Sequence, residues 1–188
     1  MFLSDKVGKC LGPLHSQELR GEFINICSPG SNYSNIVHKA NSIELNELSS
    51  LVILCGNSLS LGKRELLLNV QTLLSMQNKS KCSITLCAFP YCQNLNTEQN
   101  IKIQELNILM YNLTCRHSDA LLFFDTNKFI SNFTLTPDTM YLSRKFKKQI
   151  ACLLAYNINN RNKTSKPIPV RISNCTNNFY NDLTSSLN

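Results

Sequence analysis

Apolar positions cluster into five short runs separated by polar, turn-forming segments. The clearest is Leu51-Val52-Ile53-Leu54-Cys55, which runs directly into Gly56-Asn57-Ser58. A continuous apolar run bounded by turn residues predicts a strand buried on both faces. Four further runs read the same way: Phe2-Leu3, Glu22–Cys27, Ser83–Phe89 and Ala120–Phe124. Between them the apolar period changes to that of a helix. Lys63–Met76 carries Leu66, Leu67, Val70, Leu73 and Leu74, and Thr97–Cys115 carries Ile103, Leu106, Met110 and Leu113. A helix from Ser143, as N-cap, to about Ile158 carries Phe146, Ile150, Leu153, Leu154 and Ile158. Shorter helices are expected over Pro13–Leu19, closed by Gly21, and Ser34–Ala40, with a further turn over Glu44–Leu48. Asp125 to Asp138 reads as an irregular connection.

Strands alternating with helices predict an α/β fold: a three-layer α/β/α sandwich, flavodoxin-like, with a mainly parallel five-stranded sheet. In such sheets ligands bind beyond the carboxyl ends of the strands. The domain is expected over residues 1–158. Residues 159–188 shift to Asn, Ser, Thr, Lys and Pro and read as a basic, loosely ordered tail. Met1 stands where the first buried strand should already be under way, which predicts a shortened amino terminus.

Composition narrows the class. A hydrophobic content of 43% over 188 residues suits one globular domain. No run approaches the roughly 18 apolar residues of a spanning helix, and Met1–Lys6 lacks the pattern of a secretory leader. The nine cysteines are scattered, odd in number and without a CxxC pair. They predict free thiols, mostly buried, in an intracellular setting, with neither a metal nor a cofactor. The net charge of +7 leans toward anionic partners. Arg144, Lys145, Lys147 and Lys148 form the exposed face of the last helix and are the candidate anion-binding residues, although a solvated face is the ordinary reading of such a cluster.

The strand ends carry the candidate chemistry. They offer Ser4-Asp5-Lys6, Pro29-Gly30, Gly56-Asn57-Ser58-Leu59 and, before the last helix, Asp138-Thr139-Met140-Tyr141. The order and spacing of these blocks over roughly residues 1–157 resemble the SGNH (GDSL-like) hydrolase family. The version most resembled is the small esterase-like domain of insect genomes and some non-LTR retrotransposons. The resemblance implies a nucleophilic Ser after the first strand. It also implies an oxyanion hole from the Pro-Gly amide and an Asn after the third strand, and a general-base His before the last helix. Here Lys6 occupies the nucleophile position and Tyr141 the base position. Gly30 matches, Ser58 stands where the family has its Asn with Asn57 adjacent, and Leu59 stands where it has Asp.

These replacements remove the chemistry the resemblance would otherwise imply. Lys6 cannot form the acyl ester of a serine route, and a tyrosine of ordinary pKa is a poor proton acceptor at neutral pH. None of His15, His38 and His117 lies at a suitable strand exit. Asp5 and Asp138 read most simply as turn and capping residues. The expected function is therefore a catalytically degenerate SGNH-like domain acting as a binding or scaffold module. The alternatives are an active carboxylic-ester hydrolase with a non-standard Lys6–Tyr141 site, and a basic nucleic-acid-associated accessory domain of retroelement origin.

Overall fold

A computed structural model describes residues 1–9, 11, 24–92, 95–128, 144–160, 166, 167, 169 and 170. Five strands, β1 (Phe2–Ser4), β2 (Asn25–Cys27), β3 (Ser50–Leu54), β4 (Ser83–Cys87) and β5 (Leu121–Phe124), form one sheet in the order β2-β1-β3-β4-β5. Every neighbouring pair is parallel. Four α-helices are described: α1 (Tyr33–Asn41), α2 (Lys63–Ser80), α3 (Thr97–Arg116) and α4 (Arg144–Asn160). The run that dominated the sequence pattern, β3, is the middle strand.

Its residues alternate between two cores. Leu51, Ile53 and Cys55 pack with the buried faces of α1, α2 and α3. Val52 and Leu54 pack with Phe2, Leu11, Phe124 and Ile150, Ala151 and Leu154 of α4. This is the period-2 alternation of a strand covered on both sides. The same division places Leu3 in one core and Phe2 in the other, so three layers follow from side-chain direction. The expected faces of α3 (Ile103, Leu106, Met110, Leu113) and of α4 (Ile150, Leu154) are buried, and Ala151 and Ala155 widen the latter.

Several element boundaries differ from the sequence reading, each for a local reason. β2 covers only Asn25–Cys27, and Ile24, read as part of it, is 50% exposed. Helix α2 continues through Gln77-Asn78-Lys79 to Ser80 because no Gly or Pro interrupts it. It ends where Lys81 turns left-handed (φ 57°) and donates its amide to Gln77 O at 2.7 Å. Leu67 is 37% exposed, so the inward face of that helix is narrower than its leucines suggest. No helical turn forms over Glu44–Leu48. Asn46 instead accepts the Leu48 amide on its side chain at 3.1 Å, and Ser49 Oγ accepts the Asn46 amide at 3.2 Å. Such side-chain bonds compete with the helix ladder.

The expected helix over Pro13–Leu19 and the proposed cap Ser143 lie outside the described residues. Seven cysteines are described, all free; Cys55, Cys82 and Cys87 are buried, while Cys115 is exposed, against the expectation of mostly buried thiols. No helix among the described residues is long and apolar enough to cross a membrane. Near the carboxyl end, Pro167 and Val170 are buried, and the Val170 amide donates to Gln104 Oε1 of α3 at 3.2 Å.

Gly8 shows how tightly the first turn is packed. A Cβ at this position would lie 2.3 Å from both Cβ and Oγ of Ser4. Ser4 Cβ cannot swing away as a side-chain tip could. Gly8→Ala is expected to cost about 2 kcal/mol in urea unfolding. An unchanged midpoint would mean that the turn re-forms freely.

Candidate functional site at the carboxyl edge of the sheet

The chain runs outward from β1 to β2 and then returns across β1 to form β3. The direction of winding therefore reverses between β1 and β3, and open α/β sheets place their ligand crevice at such a point. Register aligns the three strand tips, with Ser4 opposite both Cys27 and Leu54. Lys6, Gly30, Asn57 and Ser58 thus all follow the carboxyl ends of three adjacent strands, where the sequence reading put them. Asp138 and Tyr141 lie outside the described residues, as does the side chain of Arg144.

Asp5 ties the tips of β1 and β3 together. It caps the single 3-10 turn Lys6–Gly8, accepting the Val7 amide on Oδ1 at 2.9 Å. Its other oxygen, Oδ2, accepts the amides of Gly56 at 2.9 Å and Asn57 at 2.8 Å. The Cys55 thiol also points at Oδ2, 3.5 Å away. The main chain around it is equally occupied: Asp5 O accepts the Cys27 thiol at 3.1 Å, and Ser4 O accepts the Ser28 amide at 2.7 Å. A carboxylate that accepts three amides is well solvated by the backbone although its residue is only 3% exposed. The sequence reading of Asp5 as a capping residue stands. Its bond to the third strand was legible only as a short acidic residue after a strand, too common a signal to single out.

The two hydroxyls nearest the nucleophile and oxyanion positions face inward. Ser4 and Ser58 are both fully buried, and neither Oγ has a hydrogen-bond partner among the described residues. Ser4 faces Gly8 and so presents no nucleophile to an incoming substrate. Of the adjacent pair Asn57 and Ser58, only Asn57 reaches solvent. Lys6 is exposed at the first position of the 3-10 turn.

The thiols here do not supply a substitute. Burial pushes the Cys55 thiol far above its ordinary range, and the Asp5 carboxylate pushes it further. Burial does the same to Cys87. Both stay protonated at neutral pH, and the thiol form is a weak nucleophile. Tyr33, the first residue of α1, is buried edge-on against Phe89 with ring centroids 5.2 Å apart. Burial raises its pKa, so it stays neutral. His38 is exposed on the last turn of α1, and His117 caps the carboxyl end of α3, just before β5 begins. His117 is therefore at the opposite edge of the sheet. No group of three or more potential metal ligands occurs among the described residues.

A second polar cluster, not anticipated from the sequence, shapes the exit of β4. Asn107 of α3 brackets Phe89, accepting its amide at 2.8 Å and donating to its carbonyl at 2.9 Å. Asn127 donates to the same carbonyl at 3.0 Å and accepts the Tyr91 amide at 2.9 Å. Asn100 holds Cys92 in the same two-sided way, at 3.0 and 2.9 Å. Thr126 Oγ1 donates to Ala88 O at 2.8 Å. Asn127 and Thr126 belong to a 3-10 turn, Thr126–Lys128, within the segment read as irregular. The available signal was Asn100 and Asn107, which sit seven residues apart on the apolar stripe of α3.

No protein-family model matches the chain, and no curated protein matches it. Solved structures do. A protein assigned as a GDSL-like lipase from Bacteroides ovatus superposes with a TM-score of 0.61 at 13% identity. That match covers 84% of this chain and 51% of the other, so this chain spans about half the length of that protein. The C-terminal catalytic domain of peptidoglycan O-acetyltransferase A from Streptococcus pneumoniae superposes with a TM-score of 0.58 at 12% identity, covering 85% of this chain and 89% of the other. The match to the esterase domain of the zebrafish ZfL2-1 retrotransposon ORF1 protein covers 85% of this chain and 95% of the other at 19% identity, with a TM-score of 0.41. The likeness to the first two is one of fold: the parallel α/β sandwich expected from the sequence is that of the SGNH hydrolases.

Proposed function

We propose that this chain, which has the SGNH hydrolase fold, is a catalytically inactive member of that group that binds a ligand or partner at the carboxyl edge of its sheet. The observation that carries this reading is the tip of β1. The exposed residue there is Lys6, and the serine of the strand itself, Ser4, is fully buried. A serine-type acyl transfer needs an accessible hydroxyl beside a base. Neither is present among the described residues at the tip of β1; Ser28, after β2, is half-buried and its hydroxyl accepts from Lys39 Nζ at 2.9 Å. In the resemblance drawn from the sequence, Tyr141 stands at the base position, and a tyrosine of ordinary pKa is protonated at neutral pH. Losing nucleophile and base together leaves at most residual binding and electrostatic effects. The free thiols support an intracellular setting.

Short-chain p-nitrophenyl esters test this. The native chain and Lys6→Ala are expected to be equally inactive. Lys6→Ser combined with Tyr141→His is expected to raise hydrolysis above the native background by about 10²-fold or more, the scale of one positioned general base. Native turnover abolished by Lys6→Ala would instead establish an ester hydrolase with a non-standard site.

A further inference from the structure

The two edge strands of the sheet differ. On the β2 side, Phe2 N donates to Ile24 O at 2.8 Å and Ser28 N donates to Ser4 O at 2.7 Å. The register Leu3↔Ile26 puts Ile26 in the same phase, so the main-chain groups of Ile24, Ile26 and Ser28 face β1. Alternate residues of a strand turn these groups opposite ways, so the amides and carbonyls of Asn25 and Cys27 point away from the sheet. None of these four groups has a hydrogen-bond partner among the described residues. Asn25 is exposed, and Ile24 beside it is 50% exposed.

Natural edge strands are commonly guarded by a charge, a Pro or a bulge. Ile24-Asn25-Ile26-Cys27 carries no charge and no Pro, and its register against β1 runs unbroken. The other edge strand, β5, is flanked by the chain itself. Pro167 and Val170 are buried, and the Val170 amide donates to Gln104, seven residues before Tyr111 on the same flank of α3. The Tyr111 ring packs edge-on against Phe123 of β5, with centroids 5.7 Å apart.

We propose that two copies of this chain join through β2, antiparallel about a two-fold axis at Ile26. Asn25 of each copy then lies opposite Cys27 of the other, and each such pair exchanges both main-chain bonds. All four outward groups of each strand are thereby satisfied. Ile26 meets its counterpart at the non-hydrogen-bonded position, where side chains come closest, and Ile24 lies diagonal to it. Charge favours a second copy as the occupant: four neutral residues set against the same four bring no like charges together along the strands. One open edge and one flanked edge give a closed pair and not a growing filament. A strand this short buries little area, so the association is a weak one. It merges two five-stranded sheets into one, with the two candidate crevices at opposite edges. The inference does not depend on whether the crevice is catalytic.

Sedimentation equilibrium of the full chain over roughly 5–300 µM tests it. The average mass is expected to rise from one chain toward two and no further. Raising KCl from about 50 to about 300 mM should leave the dissociation constant within about threefold, since no ion pair holds the junction. Asn25→Pro removes an outward amide from each copy and none that β1 uses, so it should weaken the dimer by about tenfold or more. Ile24→Lys sets a charge on the exposed flank of the junction and should weaken it similarly without touching the backbone. Leu68→Lys, which adds the same charge on α2 at a position 56% exposed, should leave the dimer within about twofold. Thermal melts of the three variants check folding, and if Asn25→Pro melts far below the native chain, Ile24→Lys decides. A monomer at every concentration would overturn the proposal. So would assembly beyond two chains, or equal effects of Ile24→Lys and Leu68→Lys.

Discussion

Asp5→Ala is expected to lower the unfolding free energy by about 3–4 kcal/mol. The carboxylate accepts the amides of Val7, Gly56 and Asn57 at 2.8–2.9 Å from a nearly buried position. Alanine strands all three donors at the point where β1 and β3 diverge. Each charge-assisted bond is worth about 1.5–3 kcal/mol, and water can reach part of this edge, so the loss is less than the sum. Asp5→Asn separates the contributions. Its amide oxygen can keep Gly56 and Asn57, but its NH2 then faces the Val7 amide, donor against donor. About 1–2 kcal/mol should be lost. Urea unfolding with an unchanged m-value measures both. A loss below about 1 kcal/mol for Asp5→Ala would show that the β1–β3 junction does not depend on this carboxylate.

Asn107→Leu should cost about 2–3 kcal/mol although it nearly conserves volume. Asn107 is fully buried, with both polar atoms of its side chain on Phe89. Leucine leaves the Phe89 carbonyl bonded to Asn127, but orphans the amide. Asn107→Asp provides the sign test. A carboxyl in this position is buried against the Phe89 carbonyl, which raises its pKa. Protonated, it can donate to the Phe89 carbonyl as the native amide does; ionised, it sets a buried charge against that carbonyl. Relative to the native chain, Asn107→Asp should therefore lose more stability at pH 8 than at pH 5. Melting temperatures at the two values check this, and a deficit that does not grow with pH would mean that water reaches the pocket.

The strand cores were legible because burial on both faces writes itself into continuous apolar runs. Leu51–Leu54 and Ile84–Cys87 needed no partner to be recognised, and neither did the stripe on α3. β2 was read too long because Ile24 is apolar yet exposed. Residues 77–80 were read as a helix end because polar residues on the outer face of a helix look like a turn. The asparagines were harder. Asn100, Asn107 and Asn127 contribute by bonding main-chain groups 8 to 38 residues away, and a single side chain gives no sign of which backbone it will meet.

At the candidate site, the sequence by itself determined which residue types stand at the strand ends: a Lys at 6, a Gly at 30, an Asn and a Ser at 57 and 58. The order of the apolar runs also determined that these ends share one edge, since a parallel sheet sends every strand the same way. Only the tertiary structure decided which of them face outward. Ser4 and Ser58 turned into the protein while Lys6 and Asn57 turned out, because the Asp5 carboxylate locks the backbone at both tips and Gly8 packs against Ser4. The meeting of Lys147 with Lys9 was likewise settled by packing. Both outcomes rest on contacts between residues distant in the chain, whose geometry is set when the layers close and not by any local preference of the residues themselves.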